Sequence, residues 1–354
     1  MTGGRRIAVA MSGGVDSSVA AALLANAGED VIGIMLRLWS GGPSGTNRCC
    51  SPDDMARARS IAGQLGIPFY AIDVQDRFKS DVVDFFVDGY THGVTPNPCM
   101  ECNRSIRWDF LLDHALALGA THMATGHYAR VRQQNGTYQL LRAVDRSKDQ
   151  SYVLSVMGQP QLAHAVFPLG DLTKVEVRQH ARELELPVAD RSDSQDLCFA
   201  GSGDYRTLLQ HMNVKLPPPG SISNLAGDVI GTHDGLAFYT IGQRKGIGIS
   251  APHPLYVIEK DIENNRLVVG PREALGRSTF LVDRVNWVED PPTAPLDVKV
   301  RVRYQAAETG ARVTPQDGPS AQVNLAEPIP DVTPGQAAVF YQGERCLGGG
   351  LIRA

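Results

Sequence analysis

The chain has 354 residues, 43% of them hydrophobic and 20% charged, with a formal net charge of −4. That length accommodates two or three domains with separate cores, and the slight acidity excludes a general pull toward nucleic acid, so any such binding must use local basic patches. No stretch approaches the ~20 apolar residues that cross a bilayer, and Met1 to Arg6 is too short and polar for a signal peptide, so a soluble, cytoplasmic protein without a membrane partner is expected.

The first apolar run, Ile7 to Met11, predicts a strand, and Ser18 to Leu24 predicts the helix that follows it. Between them lies Ser12-Gly13-Gly14-Val15-Asp16-Ser17, a strand-to-helix turn. Its two glycines let backbone approach a ligand with no Cβ in the way. The hydroxyls of Ser12, Ser17 and Ser18, with the N–H groups of the helix start, face an anion. The turn lacks the Lys of G-x-x-x-x-G-K-[ST] and is too short for that loop, which excludes an ordinary P-loop. A serine-capped glycine turn without a ligand is the plainer alternative.

Val31 to Leu36 predicts a second strand, and Ser51-Pro52-Asp53-Asp54 opens a helix that closes at Gly66. Strands are predicted at Pro68 to Ile72 and His122 to Thr125, with a helix from Ser105 to Leu118 ending at Gly119. Asn135-Gly136 between Tyr128–Arg132 and Tyr138–Arg142 predicts a hairpin. The alternation up to about Tyr205 reads as βαβ units around a parallel sheet. Beyond it, Pro217-Pro218-Pro219-Gly220 breaks the chain and short strands follow, among them Leu236–Ile241, Leu255–Glu259, Leu281–Val285, Val298–Tyr304, Ala321–Leu325 and Ala337–Tyr341. The expected architecture is α/β: an N-terminal parallel-sheet domain over residues 1–205, a small β-rich connector over 206–276 and a C-terminal β-barrel over 277–354.

The six cysteines lie at 49, 50, 99, 102, 198 and 346. In a reducing compartment they read as catalytic, metal-binding or core thiols rather than structural disulfides. Cys99-Met100-Glu101-Cys102 follows the prolines Pro96 and Pro98 and is expected just ahead of a helix start, where the dipole favours thiolate. Taken alone it fits a redox pair or half a zinc site. Cys198, flanked by Leu197 and Phe199, reads by itself as a small buried hydrophobe.

The S-G-G-x-D-S string resembles the PP-loop of the ATP pyrophosphatases, which cut ATP between its α- and β-phosphates. With the other motifs, the chain resembles the bacterial tRNA-specific 2-thiouridylases nearly end to end. Met11–Ser18 matches that family's ATP loop, Ala124–Tyr128 its second nucleotide segment and Lys148–Tyr152 its tRNA-contact motif. Ser194–Phe199 matches its second cysteine motif, and Tyr239–Gly246 and Cys346–Gly350 match signatures in the connector and barrel. The resemblance implies 2-thiolation of the tRNA wobble uridine: the C2 oxygen is adenylated, then sulfur attacks and AMP leaves. It implies ATP contacts at Ala10, Met11, Ser12, Gly13, Gly14, Val15, Asp16, Ser17, Met35 and Gly126, with Asp16 aiding Mg²⁺. By themselves these residues leave Met35 as strand core. The tRNA contacts implied are Asn97, Pro98, Cys99, His127, Lys148, Asp149, Gln150, Arg303, Tyr304 and Gln342.

By the family pattern Cys198 carries a persulfide and Cys102 releases the sulfur through a transient Cys102–Cys198 disulfide. Arg104 and Arg107 lie near Cys102 to favour thiolate, or form a solvated helix face. Many family members carry Asp at the position of Cys99. With a third thiol there instead, Cys99, Cys102 and Cys198 also suit a [4Fe–4S] cluster with one open iron that binds hydrosulfide. Lys299, Arg301 and Arg303 alternate on one strand face, as do Arg130 and Arg132, either as phosphate tracks or as ordinary solvated faces. The implied partners are tRNA, through an anticodon stem–loop with a wobble uridine, and a sulfur-donor protein (a cysteine desulfurase or relay) or hydrosulfide, with the enzyme a monomer. Two other readings of the loop are an amide- or guanidine-forming ligase for a small molecule and a non-catalytic RNA-binding module.

Overall fold

A computed structural model of the chain describes residues 5–41, 51–191, 197–199, 205–212, 214, 216–330 and 332–353. Cys49, Cys50, Ser194, Gln195 and Asp196 lie outside the described residues. The chain divides into two compact units: Met1–Val83 with Cys99–His211 and Gly343–Cys346, and Asp84–Pro98 with Met212–Gln342 and Leu347–Ala354.

The first unit is built on five parallel strands, β1 (Arg6–Ala10), β2 (Asp30–Arg37), β3 (Phe69–Asp73), β4 (His122–Thr125) and β7 (Ala165–Val166), in the order β3-β2-β1-β4-β7. The chain steps outward from β1 through β2 to β3, then returns to β1's other side as β4. Strand order therefore reverses between β1 and β4, the place where open α/β sheets leave a crevice beyond the carboxyl ends of their strands. Helix α1 (Val15–Asn26) packs Val19 and Ala20 to Ala22, all fully buried, in a core shared with Val177 and Ala181 of α3 (Lys174–Glu183). Small side chains on α1 allow that close approach. Helix α2 (Pro52–Gln64) starts as its sequence predicts, the Ser51 hydroxyl accepting from the Asp54 N–H at 3.1 Å, and the chain turns away at Gly66 with φ +68°. The hairpin β5 (Ala129–Gln134) and β6 (Thr137–Arg142) turns at Asn135 and Gly136, with φ 54° and 83°, as the Asn-Gly pair requires.

In the second unit, β8 (Gly220–Ser223), β9 (Val229–His233), β10 (Tyr256–Asp261) and β11 (Arg266–Gly270) form one sheet in the order β10-β11-β8-β9. Six antiparallel strands, β12 (Arg277–Trp287), β13 (Leu296–Arg301), β14 (Thr309–Pro315), β15 (Ala321–Ile329), β16 (Ala337–Gln342) and β17 (Arg345–Ile352), run β12-β15-β14-β13-β16-β17 and close through β12–β17 pairing. The predicted barrel is thus observed.

Three predicted elements differ. Leu236–Ile241 is not a strand: Leu236–Phe238 forms a 3₁₀ turn, because Gly235 at φ +137° bends the chain before it and Leu236 and Ala237 turn into the core together. The strand predicted to reach Tyr304 stops at Arg301. The helix predicted from Ser105 begins seven residues earlier, running from Pro98–Glu101 through the wider π-type turns Cys102–Leu111 to Leu112–Ala117. Proline is well suited to a first helical position, where its missing N–H costs nothing.

Candidate nucleotide and thiol site

The nucleotide loop leaves the end of β1 and bends at Gly13, whose φ is +70°. A Cβ there would meet the Asp54 carbonyl oxygen at 2.6 Å, so only glycine fits. Gly14 is the N-cap of α1 and offers no side-chain cap, leaving the first-turn N–H groups to a ligand. The Ser12 N–H donates to Ser17 Oγ at 3.1 Å, and the Ser18 hydroxyl donates to the Gly14 carbonyl at 2.8 Å. The loop is thus tied to its own helix. Gly126, on the turn after β4, closes the other side: a Cβ there would lie 2.7 Å from the Asp16 carbonyl carbon and the Ser17 nitrogen. The β1 and β4 turns meet at the strand-order reversal, which brings Gly126 to the loop. Met35 is 1% exposed, its side chain part of the core.

Asp16 is held from two places remote in sequence. Lys174 Nζ donates to both of its carboxylate oxygens at 2.7 and 2.8 Å, and the Tyr128 hydroxyl donates to Oδ1 at 2.8 Å. Arg191 supports the loop from outside, donating to the Gly13 carbonyl at 2.9 Å and pairing with Asp54 at 2.6 Å. Burial works against the Asp54 charge, yet hydrogen bonds from Ser51, Arg57 and Arg191 hold its carboxyl below the usual range. Sequence reasoning gave no role to Lys174 or Arg191, placed Tyr128 only within the second nucleotide segment and read Asp54 only as part of a helix start. One local sign marks Lys174: a cation at a helix start opposes the dipole. The other partnerships are non-local and leave no pattern.

Several expected tRNA contacts are otherwise engaged. His127 is turned inward, Nδ1 lying 2.6 Å from Thr125 Oγ1 and its ring edge-on to Phe167. Burial, with the nearby charge of Arg107, pushes its pKa down to about 3. Asp149 is buried and accepts from the Ala143 N–H and the Ser151 hydroxyl, at 3.1 and 2.9 Å. Gln150 Oε1 accepts from the Tyr128 N–H at 3.0 Å. These three side chains shape the turn that carries Tyr128. Lys148 is half-buried. Arg130 donates to the Arg142 carbonyl and Glu344, and Arg132 to Gln139, so that pair is not an open cationic track.

A neutral buried imidazole has a pH signature. Between pH 6.5 and 3 the unfolded chain takes up a proton at His127 that the folded chain refuses, so stability falls as pH falls through that window. His127→Asn is expected to flatten the pH dependence by up to about 1.4 kcal/mol per pH unit. Urea unfolding at stepped pH measures it, and parallel wild-type and variant curves would refute the assignment.

On the barrel, Lys299 is exposed, but Arg301 pairs with Glu308 at 2.8 Å and Arg303 donates to the Ile241 carbonyl at 3.1 Å and to Thr333. Because the strand ends at Arg301, the three cations do not form one row. Tyr304 is 39% exposed and Gln342 is exposed. Asn97 is half-buried and Pro98 buried. The segment before them is fixed within its own unit: the Thr95 N–H donates to the Pro334 carbonyl, and Gln336 Nε2 to the Thr95 carbonyl, both at 2.9 Å.

Cys99 sits exposed in the first helical turn and Cys102 buried in the next, both as thiols, rather than on a loop ahead of the helix. Asn103 Nδ2 donates to the Cys99 carbonyl at 3.0 Å, and Arg107 to Asn103 Oδ1 at 3.3 Å. Arg104 lies 3.8 Å from Glu101. Cys198 is half-buried as a thiol, next to Phe199, whose ring meets Phe78 edge-on. Among the described residues no three His, Cys, Asp or Glu side chains stand close enough to hold a metal ion. Cys99, Cys102 and Cys198 as placed do not form such a group.

Residues 5–202 match the family described as tRNA methyl transferase HUP domain, 206–271 the tRNA methyl transferase PRC-barrel domain and 277–352 the aminomethyltransferase beta-barrel domain. The tRNA-specific 2-thiouridylase MnmA of Chloroflexus aurantiacus is 49% identical over 350 residues, covering 98% of each chain. The chain belongs to the tRNA-specific 2-thiouridylase family. The thiouridylase of Magnetococcus marinus is 45% identical over 357 residues, 99% of this chain and 100% of that one. Among solved structures, a 4-thiouridine synthetase–RNA complex with bound ATP has a TM-score of 0.38 at 16% identity, covering 58% of this chain and 50% of that one.

Proposed function

We propose that the chain transfers sulfur to C2 of the wobble uridine of tRNA at the expense of ATP. The observation that carries this reading is the meeting of the Ser12–Ser17 loop with Gly126 at the β1/β4 reversal, in a chain of the thiouridylase family. A uridine carbonyl has a poor leaving oxygen. Attack of that oxygen on the α-phosphorus of ATP expels pyrophosphate and turns the oxygen into part of AMP, a good leaving group. The loop amides suit the phosphates, and Asp16, whose two oxygens already accept from Lys174 and Tyr128, would aid Mg²⁺ indirectly, through a water of that ion.

Sulfur then replaces AMP. The terminal sulfur of a Cys198 persulfide attacks C2, and AMP leaves with the oxygen. The Cys102 thiolate attacks the Cys198 sulfur, which releases 2-thiouridine and leaves a Cys102–Cys198 disulfide for an external thiol to reduce. A persulfide on a sulfur-donor protein reloads the reduced Cys198 by giving up its outer sulfur and leaving as a thiol; hydrosulfide reloads it instead by attacking the Cys198 sulfur of the disulfide, which expels the Cys102 thiolate. Cys102 is buried, so its attack requires that the thiol be uncovered. For tRNA, the exposed Tyr304 and Gln342, with Arg303, Lys148 and the Asn97–Cys99 corner, are the proposed contacts. Residues 1–205 serve nucleotide chemistry, 206–276 connect and 277–354 contact tRNA. The tRNA substrate proposed here places the work in the cytoplasm; among the described residues no helix is long and apolar enough to cross a membrane.

Nucleoside mass spectrometry of tRNA incubated with the protein, ATP and a sulfide source tests the function. ATP-dependent 2-thiouridine is expected. Pyrophosphate release stimulated by a small carboxylate but not by tRNA would replace this reading with a ligase. No ATP turnover at all would leave a binding module.

A further inference from the structure

The turn from Asp145 to Gln150, which carries the proposed tRNA contact Lys148, is tied to the nucleotide loop along two separate routes. The first runs through Tyr128. The Gln150 N–H donates to the Tyr128 carbonyl at 2.8 Å, and Gln150 Oε1 accepts from the Tyr128 N–H at 3.0 Å, so one residue grips both backbone groups of the other. The Tyr128 side chain, 2% exposed, carries that position inward, its hydroxyl donating to Asp16 Oδ1 at 2.8 Å. The second route runs through α3. Asp145 Oδ2 accepts from the Lys174 N–H at 3.0 Å, and the Lys174 ammonium donates to both oxygens of Asp16. Both routes end on the same carboxylate.

The turn is braced within itself. Asp145 Oδ1 accepts from the Ser147 N–H and hydroxyl at 3.0 and 2.6 Å, and the Asp145 carbonyl from the Lys148 N–H at 3.1 Å. Buried Asp149 closes it from beneath through Ala143 and Ser151. A network satisfied in this way is rigid, so a ligand on its outer face acts on Gln150 and Asp145 together. We infer that this turn and the nucleotide loop are energetically coupled, with Tyr128 as the positioning residue between them. RNA bound at Lys148 fixes Asp16 for ATP, and ATP in the loop fixes the turn for RNA, by the same factor. The inference rests on the reading of the loop as an ATP site and of Lys148 as an RNA contact. Its physical basis is shared ordering: the ligand that binds first bears the cost of fixing the Gln150–Tyr128–Asp16 chain, and the second binds a chain already fixed.

Isothermal titration of the α,β-methylene analogue of ATP, whose α–β bridge cannot be cut at that position, measures the coupling. Wild type and Tyr128→Phe are each titrated without tRNA and with saturating tRNA that carries an unmodified wobble uridine. Phe keeps the ring and removes only the donor to Asp16. The ratio of the two affinities cancels any loss common to both titrations, so a merely structural role of the hydroxyl leaves the ratio unmoved. In wild type, tRNA is expected to tighten the analogue by ~5-fold or more, and in Tyr128→Phe by no more than about 2-fold. A wild-type ratio of one overturns the proposal. So does a ratio in Tyr128→Phe as large as that of wild type. Wild type that binds no analogue under either condition removes the ATP reading, and wild type that binds the analogue but no tRNA removes the RNA reading; either takes this proposal with it.

Discussion

Replacing Cys198 with Ser will lower 2-thiouridine formation by at least ~10³-fold while tRNA-dependent pyrophosphate release continues. The two half-reactions use different atoms. Adenylation needs the loop, Gly126 and the uridine oxygen, whereas the hydroxyl of Ser cannot carry a persulfide. The side chain is half-buried beside an anchored Phe199, so the exchange of sulfur for oxygen costs little packing. Cys102→Ser should behave differently: its product would remain attached to Cys198 as a mixed disulfide, giving at most one turnover. Radiolabelled ATP for the first half and nucleoside mass spectrometry for the second make the comparison. Full thiolation by Cys198→Ser would remove the persulfide route.

Asp16→Ala is expected to abolish AMP formation and also to destabilise the first unit. From the sequence, Asp16 faces a ligand and its loss leaves the fold intact. The structure changes that expectation, because Lys174 and Tyr128 both end on this carboxylate. Deleting it strands a buried ammonium, a loss of about 1–3 kcal/mol, less than for a fully buried pair because Asp16 is one-third exposed. Asp16→Asn keeps an acceptor for both donors and should recover much of the stability with little of the activity. Thermal melts alongside pyrophosphate release distinguish the two effects. An Asp16→Ala variant as stable as wild type would mean the Lys174 contact contributes nothing to folding.

These expectations show where the sequence was legible. The Ser12–Ser17 turn, the Asn135-Gly136 hairpin and the Ser51-Pro52 helix start could be read because each is decided by residues adjacent in the chain. The alternation along Val298–Tyr304 marked a barrel strand, and Val298 and Val300 of β13 are 7% and 0% exposed, although the strand stops at Arg301. It failed to show that Arg301 and Arg303, on the other side, already have partners in Glu308, Thr333 and the Ile241 carbonyl. His127 likewise sits in a nucleotide motif, but only the packing of Thr125 and Phe167 around it shows that it faces inward.

By itself, then, the sequence determined the loop that suits phosphate, the thiols available for sulfur, the α/β-then-barrel order and the family to which these motifs belong. Local backbone preferences and residue chemistry are sufficient for that. The tertiary structure decided which side chains serve the loop and which thiols are accessible. The β3-β2-β1-β4-β7 order brings Gly126 against Asp16, α3 delivers Lys174 from 158 residues away, and Arg191 reaches Gly13 across 178. Such pairings depend on distances set by the packing of whole elements, and no periodicity along the chain encodes them.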